Sequence, residues 1–139
     1  MSEKPFDFFQ DHSRNYLEMA FKAEYSERIE NPDGYGWKTG DCGDTVTFFL
    51  VHDPDDDRLA HIAFEVDGCR NTTACANTVV FLALGKTVAA AWEVTPEQIA
   101  AFLETLPEDH FHCAELAAGA FYRALADLNS RSKPLADGG

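Results

Sequence analysis

At 139 residues, 45% hydrophobic and 12% aromatic, the chain is long enough for one folded domain with a modest core and too apolar to stay disordered. Its formal net charge of −13, with 11 Lys and Arg against 24 Asp and Glu, argues against nucleic-acid binding, which needs clustered cations, and suits a basic protein partner. No apolar run reaches the roughly eighteen residues needed to span a membrane. The opening MSEKPFDFFQDHS carries charges where a secretory leader needs an apolar stretch, so a cytoplasmic setting with reduced cysteines is expected.

Residues 1–139 read as a single domain, with an N-terminal helix over 6–30, a core over 35–129 and a disordered tail over 130–139. The first helix rests on Tyr16, Met19, Ala20, Ala23 and Tyr25 at roughly helical spacing, with Asp11 or Ser13 as cap. Asn31-Pro32-Asp33-Gly34 stops it, and the glycines of Tyr35 to Gly43 suggest a loop. Thr45 to Val51 is rich in β-formers, Asp53 to Asp57 is a polar turn, and Arg58 to Val66 alternates apolar and polar, so the pair reads as a hairpin. A helix follows from Asn71, with Cys75, Val79 and Leu82 on one stripe and Gly85 as its C-terminal cap. Thr95-Pro96-Glu97-Gln98 has the form of a capping box and opens a helix to about Thr105. A last helix covers Cys113 to about Asn129. The order predicts an α+β fold, a small antiparallel β-sheet with helices packed on one face.

Three of the four cysteines stand at element boundaries. Cys42 precedes the first strand of the hairpin, Cys69 follows the second after Gly68, and Cys113 opens the last helix. A hairpin returns its start and finish to one end, so Cys42 and Cys69 are expected close together, with Asp44 beside them. Cys113 joins them if the last helix begins there, with His112 adjacent, and the helix dipole is expected to lower its pKa. Three thiols with a carboxylate or an imidazole suit tetrahedral Zn²⁺ or thiolate-bound iron. A cysteine beside a strand can equally be a small buried hydrophobe, and the residues alone leave both readings open. No CxxC, H-x-E or H-E-x-x-H pattern points to a zinc finger or a zinc hydrolase.

The run of Tyr25-Ser26-Glu27, Glu30-Asn31-Pro32, Asp41-Cys42-Gly43-Asp44, Asp67-Gly68-Cys69, Gly85-Lys86-Thr87 and Leu106-Pro107 with His112-Cys113 resembles the NifU/IscU-type iron–sulfur cluster assembly scaffolds. The resemblance covers about Tyr25 to Asp127 and implies a SufE/NifU-like fold and a scaffold rather than an enzyme. It implies that Cys42, Asp44, Cys69, His112 and Cys113 hold a transient [2Fe–2S] cluster or its iron, and Zn²⁺ in the cluster-free form. Sulfur would arrive as persulfide from a cysteine desulfurase, with Cys113 as acceptor, and the cluster would pass to recipient apo-iron–sulfur proteins. The alternative is a zinc-binding sulfur-transfer protein of SufU type that accepts persulfide without building a cluster; His112 stands where that branch usually carries Arg. Glu108-Asp109-His110 replaces the family's Pro-Val-Lys, which recruits an Hsp70-type chaperone, and so puts chaperone use in question.

The remaining candidates read as structural. Cys75 is expected as a packed core thiol, with a role auxiliary to Cys69 as the lesser alternative. His110 is expected as an exposed loop residue, with a proton donor or further ligand as its alternative, and His61 as an exposed sheet residue. Trp37 and Trp92 are expected as packing anchors.

Overall fold

The computed structural model describes residues 12–132. Helix α1 (Arg14–Phe21) begins at Ser13, whose hydroxyl accepts the Tyr16 amide proton at 3.0 Å. That contact satisfies one of the amides left without a partner in a first helical turn. Tyr16, Met19 and Ala20 form its buried stripe. The expected helix over 6–30 is therefore corrected. Residues 6–11, and Asp11 as a cap, lie outside the described residues, and the helix stops at Phe21. Beyond it the chain is an extended arm along the sheet, where Phe64 N donates to Tyr25 O at 2.9 Å and Ser26 bridges Phe64 in parallel. An open strand edge offers unpaired backbone groups, and satisfying them outweighs a weak helical period.

The sheet has three antiparallel strands in the order β1 (Gly34–Thr39), β2 (Thr45–Asp53) and β3 (Arg58–Asp67). The β2–β3 hairpin follows the expected pattern, with Phe48 opposite Phe64 and Thr45 opposite Asp67, and a register irregularity between Val51 and His52. Four helices follow the hairpin: α2 (Arg70–Ala83), α3 (Val88–Ala91), α4 (Pro96–Leu103) and α5 (Phe111–Ser132), the last preceded by a 3-10 turn (Glu108–His110). Gly85 takes a positive φ of 79° just past α2, as a C-terminal cap does. The capping box on α4 is present in both directions, Thr95 with Gln98, and the helix ends at Leu103 rather than Thr105. Residues 130–132, expected as part of a disordered tail, continue α5.

Strand β1 was expected as a loop because of its glycines, and their purpose is different. A Cβ placed on Gly36 would lie 2.3 Å from the Ala124 backbone nitrogen, and one on Gly34 would lie 2.7 Å from the Ala124 carbonyl oxygen. Glycine at both positions lets α5 rest on the strand backbone. Its C-terminal half also closes the outer edge of β1. Asp127 Oδ2 accepts the Tyr35 amide at 2.9 Å, Arg123 donates to Trp37 O at 3.0 Å, and Arg131 donates to Pro32 O at 3.0 Å. Beneath, Phe121 meets Phe48 edge-on at 5.5 Å, and Phe48 lies 6.1 Å from Phe64, all three buried. Neither tryptophan is the expected internal anchor: Trp92 is 37% exposed while stacked on Tyr122 at 5.7 Å, and Trp37 is 49% exposed.

The result is a sheet covered by helices, with the ends of β2 and β3, the start of α2 and the start of α5 converging at one end.

Candidate functional site

Cys42 sits in the β1–β2 connection, Cys69 is the residue before α2, and Cys113 lies in the first turn of α5. Gly43, with φ +92°, turns the chain between Cys42 and Asp44 through a conformation that suits glycine. Asp44 then points across the hairpin. Its Oδ2 accepts the Cys69 amide at 3.2 Å and the Thr72 hydroxyl at 2.7 Å. Gly68 is needed here for space, because a Cβ on it would lie 2.4 Å from Asp44 Oδ2. Thr72 is completely buried, and its hydroxyl oxygen is 3.4 Å from Cys113 Sγ and 3.5 Å from Cys69 Sγ. The structure thus brings Asp44, Cys69 and Cys113 together around one hydroxyl, with Cys42 exposed in the neighbouring β1–β2 connection.

The electrostatics follow from those contacts. The Thr72 hydroxyl above all, aided by the Cys69 amide, holds the Asp44 carboxyl below its ordinary value; burial, second in size to the Thr72 bond, opposes them. Cys113 corrects an expectation. Its place in the first turn of α5 was expected to lower its pKa, yet the thiol is pushed up to about 11. Burial is the largest cause; the Thr72 hydrogen bond works against it, and the neighbouring Cys69 and Cys42 add to it. The side chain is fully covered, whereas Cys42 and Cys69 are exposed, so desolvation outweighs the dipole. Cys75 is the expected core thiol: it has no exposed surface, and burial, then Cys113 and Cys69, push its pKa well above normal.

His112 is exposed and shares an open groove of about 520 Å³ with Cys42, Lys38, Asp41 and Glu115. Its ring is stacked 5.7 Å from that of His110, which is half-buried rather than exposed and bonds Asp109 at 3.1 Å. His112 therefore flanks the thiols on the groove side. Among the described residues, no group of three or more His, Cys, Asp or Glu side chains stands arranged to hold a metal ion.

Sequence reasoning passed over Thr72 and Tyr16. Thr72 falls one helical turn after Cys69, and a hydroxyl at that spacing from a cysteine before a helix was the available signal. Tyr16 comes from α1. Its hydroxyl bonds Asn71 Oδ1, and its pKa is pushed up to about 12 by burial and then by Cys69, Cys75 and Cys113. No local pattern announces that contact, which joins residues 55 positions apart.

The chain belongs to the NifU-like N terminal domain family, matched over residues 27–134. Helix α1, with Tyr16, lies upstream of the matched segment. The chain is 34% identical over 127 residues to the iron–sulfur cluster assembly scaffold protein IscU 1 of Archaeoglobus fulgidus, covering 91% of this chain and 74% of that one. Its fold is similar to a NifU-like N-terminal structure from Brucella abortus, with a TM-score of 0.70 at 16% identity over 86% of this chain and 95% of that one. It is also similar to a SUF-system scaffold structure from Fervidobacterium islandicum AW-1, with a TM-score of 0.66 at 21% identity over 81% of this chain and 95% of that one. The expected fold class stands. No helix among the described residues is long and apolar enough to cross a membrane.

Proposed function

We propose that this protein is a scaffold on which [2Fe–2S] clusters are assembled and from which they pass to recipient apoproteins, and that it is not itself an enzyme. The observation that carries the reading is a hard carboxylate, Asp44, held among three soft thiols by a buried hydroxyl. The name of the Archaeoglobus relative supports it.

In this reading the cluster is cargo. Cys42, Cys69 and Cys113 bind iron as thiolates, and Asp44 supplies the weakest bond, a hard ligand on a site otherwise suited to soft ones. His112 exchanges with Asp44 from the groove side. The donor set equally fits Zn²⁺ before iron arrives.

Sulfur comes from a cysteine desulfurase as a persulfide, and Cys113 accepts it. Its thiolate attacks the outer sulfur; the S–S bond of the donor breaks, a new one forms at Cys113, and the donor leaves as a thiolate. Two such sulfurs take four electrons to become sulfides. Two come from the ferrous ions as they become ferric, and two from an external one-electron reductant. Cys113 is buried, so the 3-10 turn Glu108–His110, which contains no buried residue, moves aside first. That turn carries Glu108 and Asp109 where the scaffolds it resembles carry chaperone-recruiting residues, which puts the use of an Hsp70-type partner in question.

The test is anaerobic incubation with Fe²⁺, cysteine, a desulfurase and a one-electron reductant, followed by visible absorption and mass spectrometry. The scaffold reading expects a [2Fe–2S] chromophore that Cys42→Ser, Cys69→Ser or Cys113→Ser abolishes, and persulfide on Cys113. A wild-type protein that gains persulfide but no colour, with zinc retained, would instead be a SufU-type sulfur carrier.

A further inference from the structure

Thr72 carries a hydroxyl with one proton to give and three acceptors in reach. Asp44 Oδ2 is at 2.7 Å, Cys113 Sγ at 3.4 Å and Cys69 Sγ at 3.5 Å. The hydroxyl can donate to one of them at a time while its oxygen accepts from the others. The short contact to a carboxylate is the strongest of the three, because a charged acceptor roughly doubles a hydrogen bond. With the thiols protonated, the hydroxyl's one proton goes to Asp44 or to Cys113, and its oxygen stays open to the Cys69 S–H. Complete burial of Thr72 keeps water from standing in for any of these bonds.

Iron removes that arrangement. Thiolates on a metal have no proton to donate, and a carboxylate that turns to iron gives up the hydroxyl. The same hydroxyl can then rotate to the sulfur of Cys113 or Cys69 with no movement of the helix backbone. Thr72 sits in the first turn of α2, one turn from Cys69, and is fixed there by the amide of Thr73 donating to Cys69 O at 3.2 Å.

We infer that Thr72 is a positioning residue that competes with iron for Asp44, holding the carboxylate beside the thiols before the cargo arrives and drawing it back when the cargo leaves. The release step rests on the scaffold reading above; the holding step does not. Thr72 is not a ligand. It sets how readily the one hard ligand lets go.

Two substitutions separate the hydroxyl from the packing: Thr72→Val keeps the shape and removes the hydroxyl, and Thr72→Ser keeps the hydroxyl. Circular dichroism of both variants confirms folding. In metal-free protein, infrared S–H stretching bands and the ¹³C shift of the Asp44 carboxyl are read first. Thr72→Val should move the Cys69 S–H band to higher wavenumber and shift the Asp44 carbon, with Thr72→Ser matching wild type. In reconstituted protein, transfer of the cluster to an apo-ferredoxin-type acceptor should slow about fivefold in Thr72→Val, the factor worth one ordinary hydrogen bond, and should recover in Thr72→Ser. An unmoved Cys69 S–H band in Thr72→Val overturns the positioning role outright. A moved band with wild-type transfer overturns the competition with iron. A wild type that takes up no cluster sinks the scaffold reading instead, and the metal-free bands then decide the positioning role by themselves.

Discussion

From Phe121 onward α5 is fastened to the sheet; its first turn buries Cys113 and Ala114 but leaves His112 exposed. The later part rests on glycine backbone, fills the core with Phe121 and closes the β1 edge with Arg123, Asp127 and Arg131. The first turn follows a 3-10 turn without a buried residue, and it presents His112 to an open groove and Cys113 to a cluster of thiols. One helix therefore does two jobs. Its anchored end fixes where the thiol stands, and its free end leaves room for a cargo to enter. A uniformly anchored helix would make a closed storage site, and a uniformly loose one would not gather donors from separate elements.

The anchored end breaks most severely at Gly36. Gly36→Val places a branched side chain where even a Cβ would meet the Ala124 nitrogen at 2.3 Å. Backbone cannot yield as a side-chain tip can, so the loss should exceed about 3 kcal/mol. Thermal unfolding should show a midpoint lowered on the order of 10 °C, or no folded protein at all. A near-wild-type midpoint would mean that α5 does not lie on β1 as described.

Gly36 also shows where sequence reading stopped. Gly34 and Gly36 looked like turn residues because glycine frees the backbone, and local pattern cannot tell that use from making room for a helix some 90 residues later. The hairpin was readable because Thr45 to Val51 and Arg58 to Val66 carry their own β pattern around a polar turn, and the α4 cap was readable because Thr95 and Gln98 satisfy each other locally. The meeting of Cys42, Asp44 and Cys69 followed from hairpin geometry alone. Thr72 and Tyr16 did not, since their importance depends on residues brought in from α5 and α1. The pKa of Cys113 had the wrong sign because a dipole can be read from position, whereas burial depends on the finished core.

The free end is broken by alkali. Below pH 9, Cys113 keeps its proton in both the folded and the unfolded metal-free chain. As pH rises above the ordinary thiol value of 9.0, the unfolded chain releases it, while the folded chain holds it to about 11. The unfolded state then binds fewer protons, so stability falls across pH 9 to 11. Buried Cys75 adds to the fall in the same direction. Urea midpoints measured across that range should decline in metal-free wild type and decline less in Cys113→Ala and in Cys75→Ala. A flat profile would place the thiols in water.

Alkylation sharpens the contrast without unfolding anything. Exposed Cys42 and Cys69 should react with iodoacetamide first, Cys113 more slowly and Cys75 only on global unfolding. Peptide mapping over time gives the order. If Cys113 keeps pace with Cys69, the first turn of α5 opens faster than the reagent attacks, which favours ready persulfide transfer. If it waits for Cys75, the acceptor role falls to an exposed cysteine.

The smallest effect is at Asp127, where the anchored end meets solvent. Its Oδ2 takes the Tyr35 amide at 2.9 Å and the Arg131 guanidinium at 2.9 Å, and the side chain is 31% exposed. Asp127→Ala frees an edge amide that water can reach, so the loss should be about 1 kcal/mol rather than the larger penalty of a buried orphan. Arg131→Ala removes a half-exposed ion pair and should lose less than about 0.5 kcal/mol. Urea unfolding of both single variants and the double variant separates the terms. If Asp127 acts mainly through the Tyr35 amide, the double variant should be close to Asp127→Ala alone, because Arg131 then has little left to hold. A double variant much worse than either would mean that the edge is closed chiefly by the arginine on Pro32 O, and that α5 is tethered at its last turn rather than along β1.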